Sequence, residues 1–228
     1  MLYIKIKKSY TSQIQKKGNY IYIVIYHDKN YIIMLNSSSV STPFTQLIQD
    51  FKGKELPSEQ IEYDYNNTLN YPNNYFMAPK SWSESFYTSS RKNMLLLSRG
   101  IENIVLIKPP FNKFTLISLF QRISNFNAVK EQYITIAPLT RKLYLIGNKD
   151  LAAGVSLPNL ADTIDSNGCN LEKNWIIIGL AEDEGCALIA EEFKSGIYRG
   201  FFTNNRNLVI RCLDTLNDSL PASNKIDI

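Results

Sequence analysis

The chain carries one histidine, His27, in 228 residues. It stands in His27-Asp28-Lys29-Asn30, a polar step between two β-branched and aromatic runs, and reads as a hairpin-turn residue; no Ser-His-Asp arrangement is legible. Cysteine is equally scarce. Cys169, Cys186 and Cys212 form an odd set without CxxC or His-adjacent spacing, which argues against a disulfide framework or a zinc site and for buried thiols in a reducing interior. A cytoplasmic location is expected, or the plastid stroma if the chain is organelle-encoded, since its abundant Asn, Lys, Ile and Tyr fit an AT-rich coding genome. Long hydrophobic runs are missing too. Tyr20 to Tyr26 and the stretch around Ile176 to Ile178 fall far short of the roughly 20 apolar residues of a spanning helix, so no membrane insertion is expected. The alternating start MLYIKIKKSY does not read as a secretory signal. Gly53-Lys54 lacks the other elements of a P-loop and no GxGxxG follows a strand, so no cofactor is designated. The net charge of +4 is too small to mark a nucleic-acid partner by itself.

What is present is an ordinary globular composition, 44% apolar and 20% charged, long enough for one core domain and an extension. Tyr3 to Lys7 alternates, and Tyr20 to Tyr26 with Tyr31 to Leu35 predicts a β-hairpin. Thr42-Pro43 reads as the start of a short helix carrying Phe44, Leu47, Ile48 and Phe51, ended by Gly53 and packed on the hairpin. Residues 54–80 hold Pro57, Pro72 and Pro79 among Asn, Tyr and Ser without a stable period, which predicts a connecting loop and a boundary near Lys80.

Beyond it, Met94, Leu97, Ile101 and Val105 form a helical stripe, with Ser98 on it, Glu102 at its edge and Arg99 pointing away. Lys113 to Gln121 is apolar on both alternating faces, the pattern of a central strand. Ile123 to Ile136 reads as a helix, Leu143 to Ile146 as a strand ended by Gly147, and 148–173 as an irregular crossing. Trp175 to Leu180 predicts a buried strand, Asp183 to Phe193 a helix opened by acidic residues, Tyr198 to Phe202 a strand, and Asn205 to Leu216 a last helix. The expected fold is α/β, a mixed sheet covered by helices, with an N-terminal β-hairpin and short helix as an extension. The expected division is 1–80 extension, 81–220 α/β domain and 221–228 frayed tail.

Open α/β sheets bind ligands outside the carboxyl ends of their strands. Here those positions hold Gln121 and Arg122, Asn148 and Asp150, Glu182 and Asp183, Thr203 and Asn204. Asp, Asn and Thr there are also ordinary caps and turn residues. Gln121 is different: no helix cap needs a Gln at the end of so apolar a strand, and a buried amide must find partners. Ser98 with Glu102 either closes a structural pair with Arg99, Arg122 or Arg141 or lines a ligand cavity. The acidic run 182–184 lacks metal-ligand spacing.

Four stretches recur in one order: MLLLSRGIEN (94–103), FTLISLFQRISNF (114–126), NWIIIGLAEDEGCALIAEE (174–192) and YRGFFTNNRNLV (198–209). Over about residues 85–216 this order resembles the DICT domain, a sensory module found beside diguanylate cyclase, phosphodiesterase and two-component output domains. The resemblance rests on Leu97, Ser98, Ile101 and Glu102, on Phe120 and Gln121, on Trp175, and on Gly200, Phe202 and Thr203. The chain departs from the pattern after Thr203, where FFTNN lacks the usual following acid. The resemblance implies a non-enzymatic sensory or regulatory protein. It would bind a small ligand or partner and act in trans on a histidine kinase, a diguanylate cyclase or a transcription regulator. Aromatic residues in the segment from Tyr63 to Tyr87 are candidates for the partner interface. Two other functions stay open: an α/β enzyme processing a small molecule or nucleotide at the strand ends, and a nucleic-acid-binding protein using the basic N-terminal hairpin with its interleaved tyrosines.

Overall fold

β-Branched and aromatic residues dominate the N-terminal strands of the computed structural model, which describes residues 3–4, 11–17, 20–27, 30–36, 41–68, 78–107, 113–150 and 161–227. By internal contacts the chain divides into Met1–Ser41 and Thr42–Ile228. The first unit is an antiparallel sheet of β1 (Tyr3–Ile4), β2 (Thr11–Lys17), β3 (Tyr20–His27) and β4 (Asn30–Asn36), in that order. His27 ends β3 opposite Asn30, in register with the predicted hairpin. Strand β2 escapes the sequence pattern because TSQIQKK is too polar to announce itself.

The second unit contains α1 (Thr45–Asp50), β5 (Lys54–Glu55), α2 (Ser58–Thr68), β6 (Ser85–Ser90), α3 (Arg91–Ile107), β7 (Thr115–Arg122), α4 (Lys130–Ile136) and β8 (Lys142–Asn148). It continues through β9 (Ala161–Asp165), β10 (Asn174–Leu180), β11 (Gly185–Lys194), β12 (Ile197–Thr203) and α5 (Arg206–Ser219). Among the described residues these strands form one eight-stranded sheet in the order β5-β6-β12-β11-β10-β7-β8-β9. Pairings β5–β6, β7–β8 and β8–β9 are parallel, and those from β6 through β12, β11 and β10 to β7 are antiparallel. The sheet is mixed and covered by helices on both faces, as the sequence predicts. On one face Ile177, Leu188, Leu116 and Leu145 pack with Met94, Leu97 and Ile101 of α3. On the other, Ile176, Ile178, Ile189 and Ile117 pack with Val209, Cys212 and Leu216 of α5. Burial on both faces explains why these strands show no polar alternation.

Several expectations are corrected. Segment 183–193, predicted as a helix, supplies β11, the strand between β10 and β12, because a strand covered on both faces is apolar at consecutive positions and mimics a helical stripe. Its small residues serve close packing: a side chain at Gly185 would meet Val209 of α5 at 3.2 Å. Glu182 and Asp183 lie in the β10–β11 connection and do not open a helix. Residues 54–68 hold β5 and α2, anchored by fully buried Ile61 and by a hydrogen bond from Trp82 Nε1 to Asp64 Oδ2 at 2.8 Å. Helix α1, assigned by sequence to the extension, packs on β11 and β12, with Phe51 stacked on Phe201 at 4.4 Å. The chain therefore divides at Ser41–Thr42 and not near Lys80. The predicted helix 123–136 breaks into a 3-10 turn (Ile123–Ala128) and α4, and the crossing 148–173 contains β9. The C-terminal tail packs back on the body: Ile226 is buried, and its backbone N–H and C=O both bond the Asn217 amide. Of the tyrosines offered for an interface, Tyr63 is exposed and Tyr87 is buried.

Candidate functional site

Helix α3 presents Arg91, Leu95, Ser98, Arg99 and Glu102 along one stripe, at i, i+4, i+7, i+8 and i+11. Opposite it, the end of β7 supplies Phe120 and Gln121, and the start of β10 supplies Trp175. The 3-10 turn after β7 and α4 close a third side with Val129 and Tyr133. Together they enclose a cavity of about 210 Å³, walled chiefly by apolar and aromatic side chains with a few polar groups.

Two hydrogen-bond chains shape its walls. Trp175 Nε1 donates to Ser98 Oγ at 3.0 Å, and Ser98 Oγ donates to the Met94 carbonyl at 2.8 Å. The Ser98 hydroxyl is thus fixed, and it fixes the indole. Glu102, 2% exposed, accepts from Arg99 Nη1 and Gln132 Nε2, both at 2.6 Å, and from the Tyr133 hydroxyl at 2.9 Å. Because the Tyr133 proton points to Glu102, the 2.7 Å contact between Tyr133 and Ser118 takes its proton from Ser118. Arg99, which the helical wheel directs outward, bends back onto Glu102 and completes the pair that the sequence leaves open among three arginines. Burial raises the Glu102 carboxyl above its ordinary range, opposed by the Arg99 charge and by hydrogen bonds from Tyr133 and Arg99. Burial and the Glu102 charge push the Tyr133 phenol well up, so it stays a donor at neutral pH. Phe120, Phe126 and Tyr133 meet edge to face at 5.6 Å, which stiffens this wall.

Comparison of the chain with protein-family models, with curated proteins and with solved structures finds no match.

The sequence-selected residues separate into two groups. Ser98, Glu102, Phe120, Gln121 and Trp175 line the cavity. Arg122, one step beyond Gln121, is exposed outside it. Gly200, Phe202 and Thr203 lie on β12, away from the cavity, and hold the sheet together. A Cβ on Gly200 would fall 2.0 Å from the Ile189 carbonyl of the paired strand. Phe202 packs edge-on to Trp82 at 6.3 Å. Thr203 Oγ1 donates to Glu84 Oε1 at 2.6 Å, and the same carboxylate oxygen accepts from the N–H groups of Asn204 and Asn205.

The polar groups at the strand ends converge only in part: Asn148 of β8, parallel to β7, pairs with Arg122 beside Gln121, and Asp183 and Thr203 lie elsewhere. Strand β10 runs antiparallel to β7, so Asp183 lies at the far end of the sheet from Gln121, where Lys113 bridges Asp183 and Glu184 at 2.8 Å. Thr203 lies at that far end as well, since β12 and β10 are both antiparallel to β11. Asp150 stays at the Gln121 end but accepts from the backbone and hydroxyl of Ser124, which hold its carboxyl below the ordinary range. Among the described residues no cluster of three His, Cys, Asp or Glu side chains is placed to hold a metal, and no helix is long and apolar enough to cross a membrane. Sequence reasoning misses Arg91, Leu95, Ser118 and Tyr133. Only Tyr133 carries a usable signal, a hydroxyl-bearing ring on an otherwise apolar stripe, since buried tyrosine hydroxyls find partners.

Proposed function

We propose that the chain is a non-enzymatic sensory or regulatory protein of the DICT type. A small molecule enters the cavity between α3, β7 and β10, and the bound state is read in trans by a signalling output protein such as a histidine kinase, a diguanylate cyclase or a transcription regulator. The observation that supports this reading is the meeting of Ser98, Glu102, Phe120, Gln121 and Trp175, from three separate stretches of the sequence, around one cavity. Its size and mixed lining suit a small organic molecule. The hydroxyls that line it are engaged in positioning the walls, Ser98 with Trp175 and Ser118 with Tyr133.

Transmission has a physical route. Glu102 on α3 holds α4 through Gln132 and Tyr133, so an occupant that moves Glu102 biases two helices at once. The test is thermal melting of the purified protein with fractions of native extract, followed by mass spectrometry of the stabilising fraction. A ligand at a hundred times its Kd contributes about 2.7 kcal/mol, a rise of roughly 5–10 °C for a domain of this size. Gln121→Leu should abolish the rise while leaving the unliganded melt near that of the wild type. The reading fails if no fraction stabilises the protein, or if stabilisation survives both Gln121→Leu and Trp175→Ala.

A further inference from the structure

The cavity's ionisable lining consists of Arg91, Arg99, Glu102 and Tyr133. Arg99 and Glu102 neutralise each other at 2.6 Å, and Tyr133 is an uncharged donor to the same carboxylate. Arg91 is left over: among the described residues it has no ion-pair partner. It lies eight residues from Arg99 on the same stripe, about 12 Å along the helix axis at 1.5 Å per residue, so its charge sits at the opposite end of the wall from the neutral pair. That end also holds Gln121, whose amide nitrogen makes a long 3.4 Å bond to the Tyr198 hydroxyl. Burial raises the Tyr198 phenol above its ordinary range; the Gln121 bond opposes the rise, the Glu192 charge adds to it and the Arg91 charge opposes it, which puts both Arg91 and Glu192 within electrostatic reach of this hydroxyl. A guanidinium and an amide N–H₂ lining one cavity offer two sets of donors to an anion.

The rest of the cavity is built for a flat apolar body. Phe120 and Trp175 stand on adjacent strands of the face that packs against α3, with Leu95 across from them. The indole is pinned by Ser98, and the Phe120 ring is locked by Phe126 and Tyr133. A dry apolar cavity of about 150 Å³ accommodates benzene. The 210 Å³ here adds room for a short substituent or a second fused ring and too little for a nucleotide.

Resting on the reading of this cavity as a ligand site, we propose that its occupant is a small aromatic carboxylate, with the ring against Phe120 and Trp175 and the acid group on Arg91 and the Gln121 amide. Three probes share one ring and differ in charge: phenylacetate, phenylacetamide and phenethylamine. Calorimetric titration of the full chain at low salt should find phenylacetate bound about tenfold or more tighter than the neutral amide, the gain expected of a charge-assisted hydrogen bond. The cation should bind weakest. Quenching of Trp175 fluorescence should accompany binding and vanish in Trp175→Phe. Arg91 is exposed at the start of α3 and glutamine is a good helix former, so Arg91→Gln should fold normally. It should equalise acid and amide without changing the affinity for the amide. Added salt should weaken the acid alone. An amide that binds as well as the acid, or a preference that survives Arg91→Gln, overturns the inference and leaves the cavity as a receptor for something else. Failure of all three probes while an extract fraction still stabilises the protein also overturns the ligand class, and spares the proposed function. If neither probes nor extract act, both fall.

Discussion

Ser98 shows how one hydroxyl serves two tasks. It closes a hydrogen bond to its own helix and receives the indole N–H of Trp175, so replacing it with alanine leaves a half-buried N–H without its acceptor. Ser98→Ala should cost about 1–2 kcal/mol, a fall of roughly 2–8 °C in Tm for a domain of this size. The double variant with Trp175→Phe should lose less than the sum of the single changes. Thermal denaturation of the four proteins decides it. Glu102 gives a second test. Its carboxyl is raised above 4.5 in the folded protein, so the folded state keeps the proton at pH values where the unfolded chain has released it. Stability from this group therefore falls as pH rises from about 4.5 through the raised value. Glu102→Gln removes that slope, and urea melts should show the wild type's advantage over the variant shrinking as pH rises from about 4.5. A widening advantage would mean that attraction to Arg99 outweighs burial.

At the scale of elements, α1 illustrates a short helix held by tertiary contacts more than by its own sequence. Six residues are too few to be helical alone. Its Thr45 hydroxyl, with Thr42 just before it, donates to Glu191 Oε2, while Arg199 donates twice to Glu191 Oε1 at 2.6 and 2.8 Å. Glu191 is 4% exposed. Glu191→Ala therefore leaves two hydroxyls and a guanidinium without their acceptor. Arg199 is about a third exposed and regains water, so the cost should lie near the low end of the 3–5 kcal/mol range for a broken buried pair, about 3 kcal/mol. Urea denaturation should show it as a lower midpoint, and limited proteolysis should cut earlier within 42–53. Helix α5 shows the opposite case, a helix announced by its own residues. Asn205 caps it with bonds to the N–H groups of Asn207 and Leu208, and Val209, Cys212, Leu213 and Leu216 face the core at helical spacing.

For the whole molecule, the division at Ser41–Thr42 makes the α/β unit a candidate for independent folding. The described residues of both apolar clusters flanking its sheet lie after Thr42. A fragment of residues 42–228 should melt in one cooperative step within a few degrees of the full chain and keep the response to stabilising extract. A non-cooperative melt would show that the N-terminal sheet completes the fold. Against this architecture, the legible part of the sequence is specific. The periodicity of Met94, Leu97 and Ile101 marks α3, the two-sided apolar run 113–121 marks β7, and Gln121 is conspicuous as an amide ending such a strand. Illegible are β11, where burial on both faces erases the alternation of a strand, and α2, whose single buried anchor Ile61 stands among polar residues.

The sequence by itself determined an α/β chain, the helices α3 and α5, the strands β7, β8, β10 and β12, and a few inward polar residues, Ser98, Glu102 and Gln121. Periodicity and the cost of burying an unpaired polar group act locally and can be read along the chain. Strand direction was decided only by the tertiary structure. Because β10 and β12 run against β7, the polar residues at their carboxyl ends lie at the opposite end of the sheet from Gln121, and the cavity forms between α3 and the sheet face. The arrangement of Arg91, without an ion-pair partner among the described residues, at one end and Arg99, cancelled by Glu102, at the other likewise depends on packing that no single stretch of sequence contains.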